Sequence, residues 1–544
     1  MTDSSLPPQS IGIVLVHGIG EQRRFEHISD EVKRLVAALS AMPETKVSVE
    51  IRTTQDSEAG AENESWRAEG SAPVKIHVAQ GSRRFCLSVH EVWWADLDDK
   101  DTLWNRLRFW FWGLGFWGVK KFDDSSLPGA QDMQAPEFPP FPWGGPRLRE
   151  ALVRARLWGF ANVFLLSALT VNLLNAVLRG LRLGQIPGPD VFYQFVGDVK
   201  LYQDRGRSFQ GPLTDLHDPR RVAIRRRVVQ VLVDVYRANY DRWYVLAHSL
   251  GSVVAWNGLM ETAHSLPNYL TQETHAALKS ATPPILGPRR SGTARPVDDM
   301  RPARPVWITD DDEVLYRDVL FGKLRGFVTY GSPLDKFAFL WRAIVPINKD
   351  TSCWPPDFEW INVYDHTDPV ASELTAFSFN APAGSPQPVS YPYKASRVLL
   401  LSHLKYLDFD KRRGPDQFVS RLVDWMLDGH SKFAAPGPTD RCWYRSTSPA
   451  FGLVLRAPWW IAGAAVFAAS LAWLGVPALV DLLSWVSGLG FLEGSRWSAS
   501  VDEIQASVSM MPLWKRFVGV LGAAAAVVMV AGPVRRLVEA VLDR

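Results

Sequence analysis

A chain of 544 residues, 47% of them apolar, has room for about three or four domains and is not disordered throughout. Its formal net charge of +3 offers no general attraction to nucleic acid, and no zinc-finger, basic-zipper or aromatic-basic RNA-binding pattern is present. Cys86, Cys353 and Cys442 are too scattered for a disulfide framework or a CxxC metal site, which fits a reducing compartment.

In chain order, Met1 to Ser10 is polar and carries no apolar signal-peptide core, so a cleaved secretory signal is not expected. Residues 11–16, IGIVLV, form an apolar, β-branched run that ends at His17-Gly18, the pattern of a strand buried on both faces of a parallel sheet. A helix is expected over residues 26–39, a strand over 47–52, a polar loop over 55–72, and strands over 74–78 and 85–94.

From about residue 103 the composition changes. Leu103–Val119 is dense in Trp, Phe and Gly, with Arg106 and Arg108 inside it. After a Pro-rich loop at 127–147, Leu157–Leu178 runs 22 residues without Asp, Glu, Lys or Arg. About 20 helical residues cross a hydrocarbon core of about 30 Å, so this run is long enough to span. Asn162, Asn172 and Asn175 within it are then expected to face a partner helix or polar cavity. Trp104, Trp110, Trp112, Trp117, Trp459 and Trp460 cluster at the edges of apolar runs, where amphipathic rings suit the headgroup level.

Residues 218–240 read as a basic helix, with Arg220, Arg221, Arg225, Arg226 and Arg227 either on a solvated face or against anionic headgroups. Residues 242–264 read strand, tight turn, helix. The Pro-, Arg- and Asp-rich stretch 265–315 is expected to be an insertion with little regular structure. Strands return at 324–330 and 360–364, and a helix over 416–427 closes the soluble part. Ala457–Val480 and Phe517–Val534 are again uncharged, the second bracketed by Lys515-Arg516 and Arg535-Arg536. No internal repeat at solenoid periods is present.

The chemistry centres on Val245-Leu246-Ala247-His248-Ser249-Leu250-Gly251-Ser252. An apolar strand before x-Ser-x-Gly and an apolar helix after it are the context of a nucleophile elbow, with Ser249 on a strained turn. Residues two before and two after must be small to avoid each other, and Ala247 and Gly251 meet that need. Acyl transfer places negative charge on the substrate carbonyl oxygen, which two preset backbone N–H groups can hold. The Gly-rich turn Val16-His17-Gly18-Ile19-Gly20 can supply one from Ile19, and Leu250 the other.

A serine hydroxyl needs a base, and the base an orienting carboxylate. In Trp360 to Val370 a strand runs into an acid-rich turn, where Asp368 of D-P-V is the leading acid. Asp365 and Asp335 are its rivals. His403, in Leu401-Ser402-His403-Leu404 shortly before the last helix, is the leading base; His366 crowds the acid turn and His430 lies past that helix.

The set V-H-G-I-G, A-H-S-L-G, Y-G-S-P-L, D-P-V and S-H-L resembles α/β-hydrolase lipases and esterases, particularly the triacylglycerol-lipase branch. The likeness covers roughly residues 10–100 and 190–430. It implies a mostly parallel sheet with helices on both faces, and hydrolysis of carboxylic esters through an acyl-serine with no metal or organic cofactor. The organisation expected is an N-terminal half-domain over 1–100 and a membrane-associated insertion over 101–185. A second half-domain over 186–435 carries nucleophile, acid and base, and a transmembrane hairpin occupies 450–544. Because Ile19 and Ser249 must meet, residues 103–180 cross a bilayer an even number of times or lie in the interface as an embedded hairpin. The partners expected are a bilayer and a lipid-like or other acyl ester, not nucleic acid. The catalytic domain is expected to face the cytoplasm from the inner membrane. Three rival readings are a catalytically silent scaffold or sensor, a serine hydrolase of thioesters or peptides, and a soluble protein whose apolar runs bind other proteins.

Overall fold

The computed structural model describes residues 7–18, 26–50, 73–94, 208–210, 217–289, 302, 304–310, 312–340, 344, 345, 347, 352–365, 368, 370–380, 386–395, 401–411, 417–429 and 433. All belong to the first of the two compact units into which the chain divides. No helix among the described residues is long and apolar enough to cross a membrane; the apolar runs at 103–119, 157–178, 457–480 and 517–534 lie outside them.

The β-branched run near the N-terminus forms strand β1 (Gln9–Val16), buried from Ile11 onward. Helix α1 (Glu26–Ser40) and strands β2 (Thr45–Glu50), β3 (Val74–Gln80) and β4 (Arg83–Val92) come next. Strands β5 (Ser208–Gln210) and β6 (His217–Pro219) make a small antiparallel pair before helix α2 (Arg220–Ala238). Strand β7 (Arg242–His248) leads into helix α3 (Gly251–Leu259). Then come helix α4 (Gln272–Lys279), strands β8 (Leu286–Pro288) and β9 (Glu313–Leu315), and helix α5 (Arg317–Leu320). Strand β10 (Leu324–Tyr330), helix α6 (Leu334–Leu340), strand β11 (Glu359–Tyr364), helix α7 (Thr375–Asn380) and strand β12 (Pro388–Pro392) continue the alternation. Helices α8 (Leu401–Leu404) and α9 (Phe418–Asp428) end the described chain.

Eight strands form one sheet in the order β12-β11-β10-β7-β1-β4-β3-β2. The pairings from β12 to β4 are parallel, and only β4-β3 and β3-β2 are antiparallel. Parallel strands are covered on both faces, which is why β1, β7 and β10 are nearly continuous apolar runs. Ile11, Ile13 and Leu15 share a core with Leu35 and Leu39 of α1 and Leu422, Val423 and Met426 of α9. Helices α2 and α3 pack against β1 as well. Two glycines permit this closeness: a Cβ on Gly326 would lie 2.3 Å from the Trp425 ring, and one on Gly258 would lie 2.4 Å from Val228. Each fully buried Leu, Val or Phe contributes roughly 1.5–3 kcal/mol, so such stripes outweigh local propensity in fixing where a helix lies.

Two expectations are corrected. The ends of 265–315 are regular: a 3-10 turn at Leu266–Tyr269, helix α4, and the antiparallel pair β8-β9. The arginines of α2 are neither a solvated face nor a headgroup contact, because Arg220, Arg221, Arg225 and Arg226 are buried. Arg225 pairs with Glu261 at 3.2 Å, and Glu261 also accepts the Tyr269 hydroxyl at 2.7 Å. Arg226 donates to the Asn268 carbonyl at 3.1 Å, and Arg227 to that of Trp93 at 2.8 Å. A buried charge persists only when paired in this way.

Candidate active site

The buried strand β7 runs straight into Ser249, whose φ of +53° is left-handed for a side-chain-bearing residue. Such a conformation costs on the order of 1–3 kcal/mol and persists where the surroundings over-determine it. Here the Ser249 N–H donates to the Tyr330 carbonyl at the end of β10, 3.0 Å away. The Ser249 carbonyl accepts the Ser252 hydroxyl at 2.6 Å. That leaves Ser252 Oγ to accept from Ser332 Oγ at 2.7 Å, while Ser332 Oγ takes the Leu334 N–H at 3.2 Å.

Small residues around the elbow also let the backbones of two turns approach each other. A Cβ on Gly251 would lie 2.3 Å from the His17 carbonyl oxygen and 2.5 Å from that of Val16. One on Gly18 would lie 2.7 Å from Ser249 Cβ. The turn after β1 and the elbow after β7 are therefore pressed together, backbone on backbone. His17, stacked on Trp94 at 5.0 Å, takes the Trp94 N–H on Nε2 and gives Nδ1–H to Gly18, so its ring braces this turn.

Ser249, His403 and Asp368, far apart in sequence, form one hydrogen-bonded line. His403 Nε2 lies 2.8 Å from Ser249 Oγ, and His403 Nδ1 lies 2.8 Å from Asp368 Oδ2. Ser249 and Asp368 are fully buried and His403 is nearly so. Burial alone pushes the Asp368 carboxyl up. The neighbouring His403, the Val370 N–H and the Tyr406 hydroxyl outweigh that effect and hold it at about 2. An ionised carboxylate only accepts, so His403 carries its proton on Nδ1 and presents a lone pair at Nε2 to the serine hydroxyl.

The rival acids have other work. Asp365 Oδ2 accepts the Ala395 N–H at 3.0 Å. Asp335 accepts the Ala376 N–H with both oxygens, at 3.0 and 3.1 Å, and so caps α7. His366 and His430 lie outside the described residues. No protein-family model, curated protein or solved structure matches the chain. The ground for any functional reading is therefore the geometry of the site itself.

Leu250 is the N-cap of α3, so its N–H stands outside the helical ladder beside Ser249. Ile19, the other expected donor, lies outside the described residues; Gly18, just before it, borders Ser249. Three contributors went unread in the sequence: Tyr406, whose hydroxyl donates to Asp368 at 2.8 Å, His248 and Ser332. The spacing His403-x-x-Tyr406 and the repeated Ser after a strand end were the signals available. Ser249, Ser332 and Asp368 follow the carboxyl ends of β7, β10 and β11, where open α/β sheets bind ligands. Among the described residues no group of three His, Cys, Asp or Glu could hold a metal ion.

Proposed function

We propose that this chain is a membrane-attached serine hydrolase of the α/β-hydrolase type that cleaves carboxylic esters, lipid-like acyl esters above all. The observation that carries the reading is the Ser249–His403–Asp368 line at the carboxyl end of one parallel sheet, with Ser249 after β7 and Asp368 after β11. Ser249 Oγ bonds to the ester carbonyl carbon as its proton passes to His403 Nε2. Asp368 stays ionised and stabilises the imidazolium that forms. The oxyanion accepts from the Leu250 N–H and, in this reading, from Ile19. Collapse expels the alkoxide, which leaves as an alcohol with the proton from His403. Water then attacks the acyl-serine with His403 as base, releasing the acid and restoring Ser249.

Membrane attachment rests on the uncharged runs at 157–178, 457–480 and 517–534. In this reading residues 1–100 and 186–435 make the catalytic domain, interrupted by the apolar insertion 101–185 and trailed by the hairpin 450–544. The catalytic domain faces the cytoplasm.

Fluorophosphonate labelling of the detergent-purified full chain tests the enzyme. Wild type labels, Ser249→Ala does not, and His403→Ala loses nearly all rate, because removing either group of such a triad costs about 10⁶-fold. A folded wild type that resists the probe would turn the reading to a silent scaffold. Matched esters, thioesters and peptides then sort the acyl substrate, and carbonate extraction tests the bilayer.

A further inference from the structure

We propose that His248, the residue before the nucleophile, is a positioning residue that sets the base against the serine by holding the backbone of His403. This rests on the hydrolase reading and adds to it a residue that touches no substrate. His248 ends β7 and is the last strand residue before the elbow. Its Nε2 lies 2.7 Å from the His403 carbonyl oxygen. A carbonyl only accepts, so His248 Nε2 carries the proton and donates.

The ring is held from both sides. It stacks on Tyr330 at 5.1 Å with 22° between planes, and lies against the His403 ring at 4.8 Å, with Tyr406 at 6.4 Å. Burial above all, and then the nearby charge of His403, push the His248 imidazole down to about 3; the carbonyl contact, Asp368 and Arg34 are the lesser influences on it. It therefore stays neutral and keeps a single ring proton, aimed at His403, across the working pH range.

The base needs such a tie. Helix α8 is four residues long, about one turn, and a helix that short is marginal without outside support. His403 is held at the ring by Asp368 and Ser249, but a ring can pivot on a displaced backbone. The His248 bond fastens that backbone to the sheet, one peptide unit from Ser249. A misplacement of about 1 Å at such a site costs about 10²-fold in rate.

Two substitutions separate the donor from the ring. His248→Phe keeps a ring and removes the donor; His248→Gln removes the ring and keeps an amide N–H of similar reach. Labelling by the fluorophosphonate is expected to slow about 10–100-fold in His248→Phe. kcat for p-nitrophenyl butyrate should fall in step, with KM within about twofold, and His248→Gln should recover most of the rate. His248→Met, a flexible apolar filler without a donor, stands in if the Phe variant does not fold. A donorless variant as fast as wild type, or a folded Gln variant as slow as Phe, overturns the positioning role and leaves the ring as core filling. A folded wild type that does not label overturns the hydrolase reading and this role with it, whereas wild-type labelling with an equally fast donorless variant overturns this role alone.

Discussion

Asp365 and Asp368 stand three residues apart after β11, and one hydroxyl touches both of their neighbourhoods. Tyr406 Oη accepts the Asp365 N–H at 2.9 Å and donates to Asp368 Oδ2 at 2.8 Å. Asp368 takes a further bond from Val370 N–H at 2.8 Å as well as His403, while the Asp365 carboxylate is turned to Ala395. Asp368→Asn should therefore slow fluorophosphonate labelling by on the order of 10³–10⁴, since an amide favours the wrong imidazole tautomer. Asp365→Asn keeps a carbonyl oxygen for Ala395 and should stay within about threefold of wild type. The reverse order of rates would make Asp365 the acid. The sequence put Asp368 first but left Asp365 and Asp335 as rivals, because an irregular turn has no periodicity to say which carboxylate faces the histidine. Tyr406 makes the distinction, and a tyrosine near a histidine carries no such signal by itself.

At the scale of elements, the segment after β10 organises the site's far wall. Gly331 has a φ of +63°, and a Cβ there would lie 3.1 Å from Tyr406 and 3.2 Å from His403. Ser332 anchors the elbow, and Lys336 of α6 donates to the carbonyls of Val370 at 2.6 Å and Ala371 at 3.1 Å, steadying the acid loop. Gly331→Ala should cost about 1–2 kcal/mol from the left-handed backbone alone. It should also slow labelling more than its loss of stability explains, because the new methyl presses on His403, the proposed base; denaturant unfolding and labelling of one preparation check both. The strands β1, β7, β10 and β11 were legible because burial on both faces demands unbroken apolar, β-branched runs. Strand β12, Pro388–Pro392, was not: it is five residues long, begins and ends on proline, and lies at the sheet edge with Val389 exposed, so it lacks an unbroken apolar run. The burial of the α2 arginines was equally hidden, since the partners Glu261, Asn268 and Trp93 are distant in sequence.

For the whole molecule, β4 and β7 lie in one sheet, each beside β1. Under the proposed membrane attachment, the chain between them therefore crosses a bilayer an even number of times. Two buried carboxylates, on helices α1 and α6, carry a response of the fold to pH. Glu31, on α1, is buried; burial raises its carboxyl from 4.5 to about 7, against the opposing charge and hydrogen bond of Arg34 at 2.8 Å. Asp335 is likewise raised by burial from 3.8 to about 7, its backbone donors offsetting only part. The folded chain thus holds protons that the unfolded chain releases, so this stability is full below the unfolded values and is lost as pH rises through about 7. For Glu31 the difference amounts to about 3 kcal/mol. Glu31→Gln keeps an acceptor for Arg34 and cannot ionise, so urea unfolding should show it gaining on wild type between about pH 5 and pH 8 by up to that amount. Curves for the two proteins that run parallel across this range would mean that Arg34 keeps Glu31 ionised throughout, and the pH response would fall to Asp335 alone.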